Sequence, residues 1–452
     1  MSTLYIGVFM AALDTAVIGP AIPALRAAFD IDNRAVGLVM IVFVLVALTS
    51  TALMANLSDR HGRRPVYLAS VALFALGSLV IALSPRYWMV LAGRALQGLG
   101  AGGIIPTASA VIGDVVPIER QGRALGMIGA IYGMAFVLGP PLAAGLMVVA
   151  SWHWIFFANL PIAALILVLG VRVLPARRAR GGLPPLDVAG LVVVFVLLTA
   201  LVLAITRVAD TYTGSVVWPW CAALALVLVP VLMRIERRAA QPMIPLSLFA
   251  NRRLATAYVL TVGAGFGMGS VVFLTSIVHL AYGVAPDRTG FWLLPLVVCS
   301  MLGSMSGGRM LNRTGSRALI LAGFVLLAAG YGAAAVTRFG IAGFMVASVP
   351  IGFGVGIVVG GALRLIAIDE SPAALRGTAQ GLINIANSIG TLLSAAIIGA
   401  LADFEGGDVH AFGVAYLAVM AVMLAMLGIA FTLRADRGRT RAPAKGARGA
   451  GG

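Results

Sequence analysis

The chain has 452 residues, of which 61% are hydrophobic and 11% charged, and its mean hydropathy is +1.03. No water-soluble core accommodates that composition, which excludes a soluble enzyme or binding module and indicates a polytopic membrane protein. The formal charge of +16 would suggest nucleic acid in a soluble chain, but here its distribution speaks of topology instead.

Fourteen apolar stretches reach spanning length, near residues 4–25, 36–57, 66–83, 88–114, 122–149, 154–174, 188–207, 217–235, 254–281, 289–311, 318–337, 341–368, 375–403 and 410–433. They are continuous rather than alternating, so helices and not a barrel are expected. The first, LYIGVFMAALDTAVIGPAIPAL, is about 33 Å long as a helix and holds Asp14 near mid-depth. It has no charged n-region and no small-residue cleavage site, so it reads as a retained helix. An acid at bilayer depth costs roughly 3 kcal/mol or more unless it faces a cavity or a partner. Either Asp14 is neutral and fixes helix packing, or it binds a proton or cation; the second reading organises the rest of the chain.

Span four carries Arg94, the one basic residue read as lying within a span. Arginine keeps its charge, so it needs an anion, carbonyls or water. Asp14 is the only carboxylate read at that depth. Deprotonated, Asp14 is attracted to Arg94; protonated, it is released. Burial favours the neutral acid and a nearby arginine favours the carboxylate, so a modest change of surroundings can load or unload a proton. Gln97 shares the face of Arg94 and can orient either charge. The blander alternative is that Arg94 snorkels toward the outer surface.

With the N-terminus placed in the cytoplasm, 25 of the 32 basic residues fall in cytoplasmic loops, at their helix ends or in the tail, and six fall outside. The positive-inside rule then sets both termini in the cytoplasm of a multi-pass cell-membrane protein. The excess charge contacts anionic lipid, and nucleic acid is not an expected partner.

The chain repeats internally. ANLSDRHGRR (Ala55–Arg64) after span two aligns with GRMLNRTGSR (Gly308–Arg317) after span ten at an offset of 253, matching Gly62 with Gly315 and Asp59 with Asn312. QGRALGMIG (Gln121–Gly129) and RGTAQGLIN (Arg376–Asn384), opening spans five and thirteen, align at an offset of 255. Two matches at nearly one offset indicate duplicated six-helix bundles, a known transporter plan with a central site. Residues 1–175 form the first bundle. Residues 176–253 hold the linker PARRARGGLPP (Pro175–Pro185 marks its extent) and inserted spans seven and eight. Residues 254–433 form the second bundle, and 434–452 a disordered cytoplasmic tail.

From about Leu13 to Leu401 the residues resemble the major facilitator superfamily, specifically its fourteen-span branch of drug/proton antiporters. The resemblance rests on LDTAVIGPAIP (Leu13–Pro23), the loop-two stretch Ala55–Arg64, LAGRALQGLGAGG (Leu91–Gly103), GMAFVLGPPLAAG (Gly133–Gly145) and WHWIFFANLP (Trp152–Pro161). It implies an all-α membrane fold of two six-helix bundles plus two inserted helices. It implies proton coupling through Asp14 and Arg94. A conformational latch is implied too, in which Asp59 caps span thirteen and Arg63 binds Asp114 at the end of span four. Gly133, Gly139, Pro140 and Pro141 would form an antiporter-motif hinge bending span five.

Asn384, Asn387, Ser388 and Thr391 share one face of span thirteen. A polar stripe on an apolar span should face a cavity or another helix. Together with Gln97 and Tyr132, the residues Asn384, Asn387 and Thr391 are the candidates for a substrate cavity; Phe266, Phe273 and Trp292 are aromatic candidates beside them. The four histidines are scattered near membrane ends, so no metal site is expected, and no nucleophile–base pair suggests an enzyme. Cys221 and Cys299 lie in separate spans and offer no disulfide framework.

The expectation is therefore a monomeric, proton-coupled antiporter exporting amphipathic drugs, dyes or antibiotics. It would need no cofactor, being driven by the proton gradient, and its partners would be small amphipathic molecules, protons and membrane lipid. The alternatives are a lipid, siderophore or secondary-metabolite exporter on the same fold, or a non-transporting receptor built on it.

Overall fold

The structure, a computed structural model, describes residues 1–31, 33–174, 188–206, 217–239, 245–284, 289–336, 340–404 and 409–433. The linker Pro175–Pro185, the tail from Arg434 and the side chains of Pro140, Pro141 and Asn312 lie outside the described residues. Everything regular among the described residues is helical.

The first group comprises α1 (Ser2–Phe29), α2 (Asn33–His61), α3 (Arg63–Ala82), α4 (Tyr87–Val115), α5 (Ile118–Val149) and the broken pair α6 (His153–Phe157) and α7 (Asn159–Val173). Then follow α8 (Val188–Thr206), α9 (Val217–Arg238) and the short α10 (Ser247–Ala250). The second group begins with α11 (Arg252–Ser270) and α12 (Leu274–Tyr282), joined by a 3-10 turn. It continues with α13 (Leu294–Ala334), α14 (Gly340–Ile357), a π turn at Val358–Ala362, α15 (Leu363–Asp369), α16 (Arg376–Phe404) and α17 (Val409–Phe431). Among the described residues eleven helices are long and apolar enough to cross a membrane, with shorter apolar helices at Ser2–Ile18 and Ala189–Ile205.

Continuous apolar sequence makes these helices, and their ends have local causes. Asn251 accepts from the backbone N–H groups of Arg253 and Leu254 and so caps α11. The duplicated loop is visible in the backbone. Gly62 enters α3 at φ 98°, ψ 157°, and Gly315, at the same offset of 253, kinks α13 at φ 79°, ψ 162°. That region is essentially closed to residues with a Cβ. One tight corner has thus been used twice, and α13 is two spans joined at it.

Within each group the helices pack on one another, and between groups α5 runs against α13 while α2 and α4 meet α16. The inserted α8 lies against α9 and touches both α2 and α16. Only 6% of the apolar window of α9 is buried, with Trp220 and Leu226 each 75% exposed, which suits a helix facing lipid. α5 continues as one helix through Gly139, Pro140 and Pro141, so the expected hinge does not break it.

Candidate functional site

Asp14 is 1% and Arg94 0% exposed, and the sequence-based alternative of an arginine snorkelling to the surface does not hold. Arg94 Nη1 donates to Asp14 Oδ2 at 2.7 Å. The carboxylate also accepts from Gln97 Nε2 at 2.8 Å and from Asn159 Nδ2 at 3.0 Å, both on Oδ1. Ser78 Oγ accepts from the same two amides, at 2.8 and 3.2 Å, and donates to the Phe74 carbonyl at 3.0 Å. Arg94 gives further hydrogen bonds to Gln97 Oε1 at 2.8 Å and, through Nε, to the Val39 carbonyl at 3.3 Å, and lies 4.0 Å over the Phe43 ring.

One acid thus ties α1 to α4 and α7, and their amides carry the network on to Ser78 of α3. A buried ion pair needs further polar partners to hold in a low-dielectric interior. Here the Gln97 and Asn159 amides and the Val39 carbonyl supply them, while Arg94 Nη2 is left without a hydrogen-bond partner among the described residues. Gln97 belongs to this network. It is 0% exposed and sealed inside the first group, so it is not a lining residue of a cavity between the groups. Asn159 and Ser78 were not singled out from sequence. Asn159 lies within WHWIFFANLP, and a polar residue on an apolar span was the available signal.

The second group lacks this machinery. At the offset of 253, Gly267 stands for Asp14 and Tyr331 for Ser78. The Tyr331 hydroxyl donates to the Gly267 carbonyl, and the Tyr416 hydroxyl to that of Ser270 at 2.8 Å. The two rings stack with centroids 5.7 Å apart.

A second constellation joins the groups at the loop-two end. Asp59 accepts from the backbone N–H groups of Gly377 and Thr378 at 3.0 and 2.8 Å and from the Thr378 hydroxyl at 2.8 Å, capping α16 from the other group. Arg63 pairs with Asp59 across the Gly62 corner and with Asp114 through Nε at 3.1 Å. Arg376, which the sequence reading passed over, donates to Asp114 Oδ1 at 3.1 Å and to the Gly113 carbonyl at 2.8 Å. All four charges are anchored at helix ends, where a carboxylate meets the positive end of the α16 dipole.

The hinge candidates separate. Gly139 sits against α1, since a Cβ there would come 2.5 Å from that of Ala16, whereas Gly133 faces Met301 of α13 at ordinary contact distance, 3.7 Å.

The stripe on α16 is only partly a free face. Thr391 donates to the Gly265 and Asn387 carbonyls, both at 3.1 Å, while Asn384, Asn387 and Ser388 are half-buried. Phe266 is 4% exposed and belongs to the core of the second group; Phe273 and Trp292 are half-buried. The structure adds a residue here. Arg364, counted from sequence among cytoplasmic helix ends, is 8% exposed and donates through Nη2 to Asn384 Oδ1 at 2.7 Å. Its Nη1 lies 3.4 Å from Ser109 Oγ of α4, and half-buried Tyr132 is its electrostatic neighbour. Arg94 is therefore not the only cation held inside a span. The misreading arose because Arg364 is five residues from the end of α15, where a surface position is the default.

The sequence profile of the Major Facilitator Superfamily matches residues 4–395. The uncharacterized MFS-type transporter YfiU of Bacillus subtilis (strain 168) is 31% identical over 406 residues, 87% of this chain and 77% of that protein. Multidrug resistance protein 3 of the same organism is 28% identical over 411 residues, 88% and 78% of the two chains. The crystal structure of the human organic anion transporter MFSD10 (TETRAN) superposes with a TM-score of 0.72 at 16% identity, over 95% of this chain and 98% of that one. The proton:xylose symporter XylE, bound to 6-bromo-6-deoxy-D-glucose, gives 0.67 at 15%, over 96% and 95%.

Proposed function

This chain belongs to the Major Facilitator Superfamily and is a membrane transporter, not an enzyme; on that footing we propose that it is a fourteen-span, proton-coupled antiporter exporting amphipathic organic compounds across the cell membrane. One observation carries the proposal: an aspartate–arginine pair at 2.7 Å, both side chains 0% exposed, held inside one helical group by neutral partners, the Gln97 and Asn159 amides and the Val39 carbonyl. Neutralising Asp14 removes the charge that Arg94, Gln97 and Asn159 converge on, and so loosens α1 from α4 and α7. α1 packs on α5 at Ala16–Gly139, and α5 packs on α13 across the group boundary. Proton binding is thereby in packing contact with the surface along which the bundles move.

Multidrug names among the relatives support the cargo class. The basic asymmetry supports cytoplasmic termini, with Asp59, Arg63, Asp114 and Arg376 forming the cytoplasmic latch. In this reading the structure is the state with its cytoplasmic gate shut and Asp14 paired. Protons arriving from outside neutralise Asp14, and rocking of the bundles about the central cleft exchanges them for cargo. Gly139 gives α5 the close approach to α1 that this motion needs, and Gly133, Pro140 and Pro141 complete the antiporter-motif hinge in this reading.

The test is pH-gradient-driven dye flux in proteoliposomes. Asp14→Asn should abolish gradient-driven flux, and with it the substrate-induced proton release of the wild type. Undiminished coupled flux at equal protein density would rule the mechanism out. Orientation is checked separately: cysteines at exposed Arg86, just before α4, and at exposed Arg120, in the first turn of α5, should react with an impermeant maleimide from outside and inside respectively. Labelling of both from one side would overturn the topology.

A further inference from the structure

We propose that Arg364 is the recognition group for a negatively charged substituent on the transported molecule, a carboxylate or equivalent oxyanion, held between the two helical groups on their pseudo-twofold axis. The inference rests on the exporter reading above and specifies its cargo.

The position follows from the repeat. Arg364 and Ser109 are 255 residues apart, the offset that relates spans five and thirteen, so they are equivalent positions in the two halves. They are also neighbours, with Nη1 3.4 Å from Oγ. A residue that touches its own equivalent lies close to the axis relating the halves, which is where duplicated bundles place their substrate. A π turn at Val358–Ala362 immediately precedes Arg364. One extra residue in a turn rotates the downstream side chains by roughly 100° relative to an unbroken α-helix, and such insertions gather at functional sites.

The chemistry follows from the partners. A guanidinium presents five N–H donors. At Arg364 they meet one good acceptor, Asn384 Oδ1 at 2.7 Å, and two at the limit, Ser109 Oγ at 3.4 Å and Gln380 Oε1 at 3.5 Å. Gln380 in turn donates to the Arg364 carbonyl at 2.8 Å, which fixes the amide beside the cation. No described carboxylate lies within ion-pair distance of Arg364, whereas Arg94 and Arg63 have theirs. A cation this buried is normally paired with an anion. Neutral oxygens around Arg364 leave its planar fork able to take an oxyanion bidentately. Asn387 and Ser388 continue the half-buried polar face beyond Asn384, so a ligand seated on Arg364 extends along α16.

Rhodamine B and its ethyl ester share one aromatic scaffold and differ by an ionised carboxylate. Binding of each to the purified full chain is read by fluorescence polarisation. The wild type should bind rhodamine B about tenfold or more tightly than the ester, the size of a hydrogen-bonded charge pair. Arg364→Gln should erase that preference while leaving ester affinity within about twofold. Arg364→Lys should keep part of it, since the charge stays and the fork goes. Asn384→Asp retains Arg364 but sets an internal carboxylate in its reach, and should abolish the preference without deleting the cation. No preference for rhodamine B in the wild type, or equal weakening of both dyes by Arg364→Gln, overturns the assignment. Gradient-driven flux separates the two readings. A rhodamine B preference without gradient-driven flux of either dye sinks the exporter and keeps the anion site. Driven flux with no preference does the reverse.

Discussion

Asp14 and Arg94 pose a question of energy as well as of mechanism, because among the described residues each is the only opposite charge the other meets on leaving water. Removing one partner of a fully buried pair is destabilising by about 3–5 kcal/mol, much of it the cost of the charge left behind. The two substitutions should therefore not add. Asp14→Asn alone leaves Arg94 charged among amides and should lower the melting temperature clearly. Asp14→Asn with Arg94→Gln removes both charges, and the double variant should melt above the Asp14→Asn single in the same detergent. A double variant that melts as low as the sum of the singles would mean the pair is not energetically coupled. The sequence made this pair legible because each residue is a lone charge of its sign on an apolar run. It did not make Arg364 legible, since a basic residue near a helix end has an ordinary surface reading and only packing shows that α16 and α4 cover it. Asn159 and Ser78 were hidden for another reason: single neutral polar residues occur in many spans, and their convergence on Asp14 exists only in three dimensions.

Helix by helix, the apolar runs foretold most of the architecture, and the positive φ of both Gly62 and Gly315 explains why glycine recurs at the same place in the two loops. What the runs left open was how the groups meet. α5 and α13 approach backbone to backbone at their glycines: the Ser304 hydroxyl donates to the Gly126 carbonyl at 2.6 Å, and a Cβ on Gly126 would lie 2.6 Å from the Ser304 carbonyl oxygen. On the other side a Cβ on Gly308 would lie 2.7 Å from the Gly122 carbonyl. Neither neighbour is a flexible tip that can swing away. Gly126→Ala should therefore act as a wedge. Overpacking of this kind costs about 1–3 kcal/mol, and in the alternating-access mechanism proposed above the contact belongs to the shut state, so the cost falls there. Spin labels at exposed Arg120 and Arg309 should move apart in pulsed EPR, with the longer distance gaining population by about five-fold or more. An unchanged distance distribution in a folded Gly126→Ala protein would show that the helices yield locally and do not transmit the strain.

At the scale of the whole molecule the question is which charges hold the gate and which merely hold a bundle together. Two clusters look alike on paper. In one, Asp59 caps α16 and shares Arg63 with Asp114, which also takes Arg376; this cluster crosses between the groups. In the other, Glu370 accepts from Arg253 at 2.7 Å and from Asn251 at 2.9 Å, and every member belongs to the second group. Contacts made in both open and closed states do not bias the equilibrium between them; only differential contacts do. Asp59→Asn keeps an acceptor but loses the charge facing the α16 N-terminus and Arg63, and in the proposed latch that loss is felt only while the gate is shut. A charged hydrogen bond of this sort contributes about 1.5–3 kcal/mol, so the open population at the loop-two end should rise by roughly ten-fold or more. Arg253→Gln should leave that population unchanged and lower the melting temperature instead. The same spin-label pair at Arg120 and Arg309 reads both variants. If Arg253→Gln opened this end as far as Asp59→Asn does, the gate would be a property of the whole charged surface. The interbundle cap would then have no special part in it.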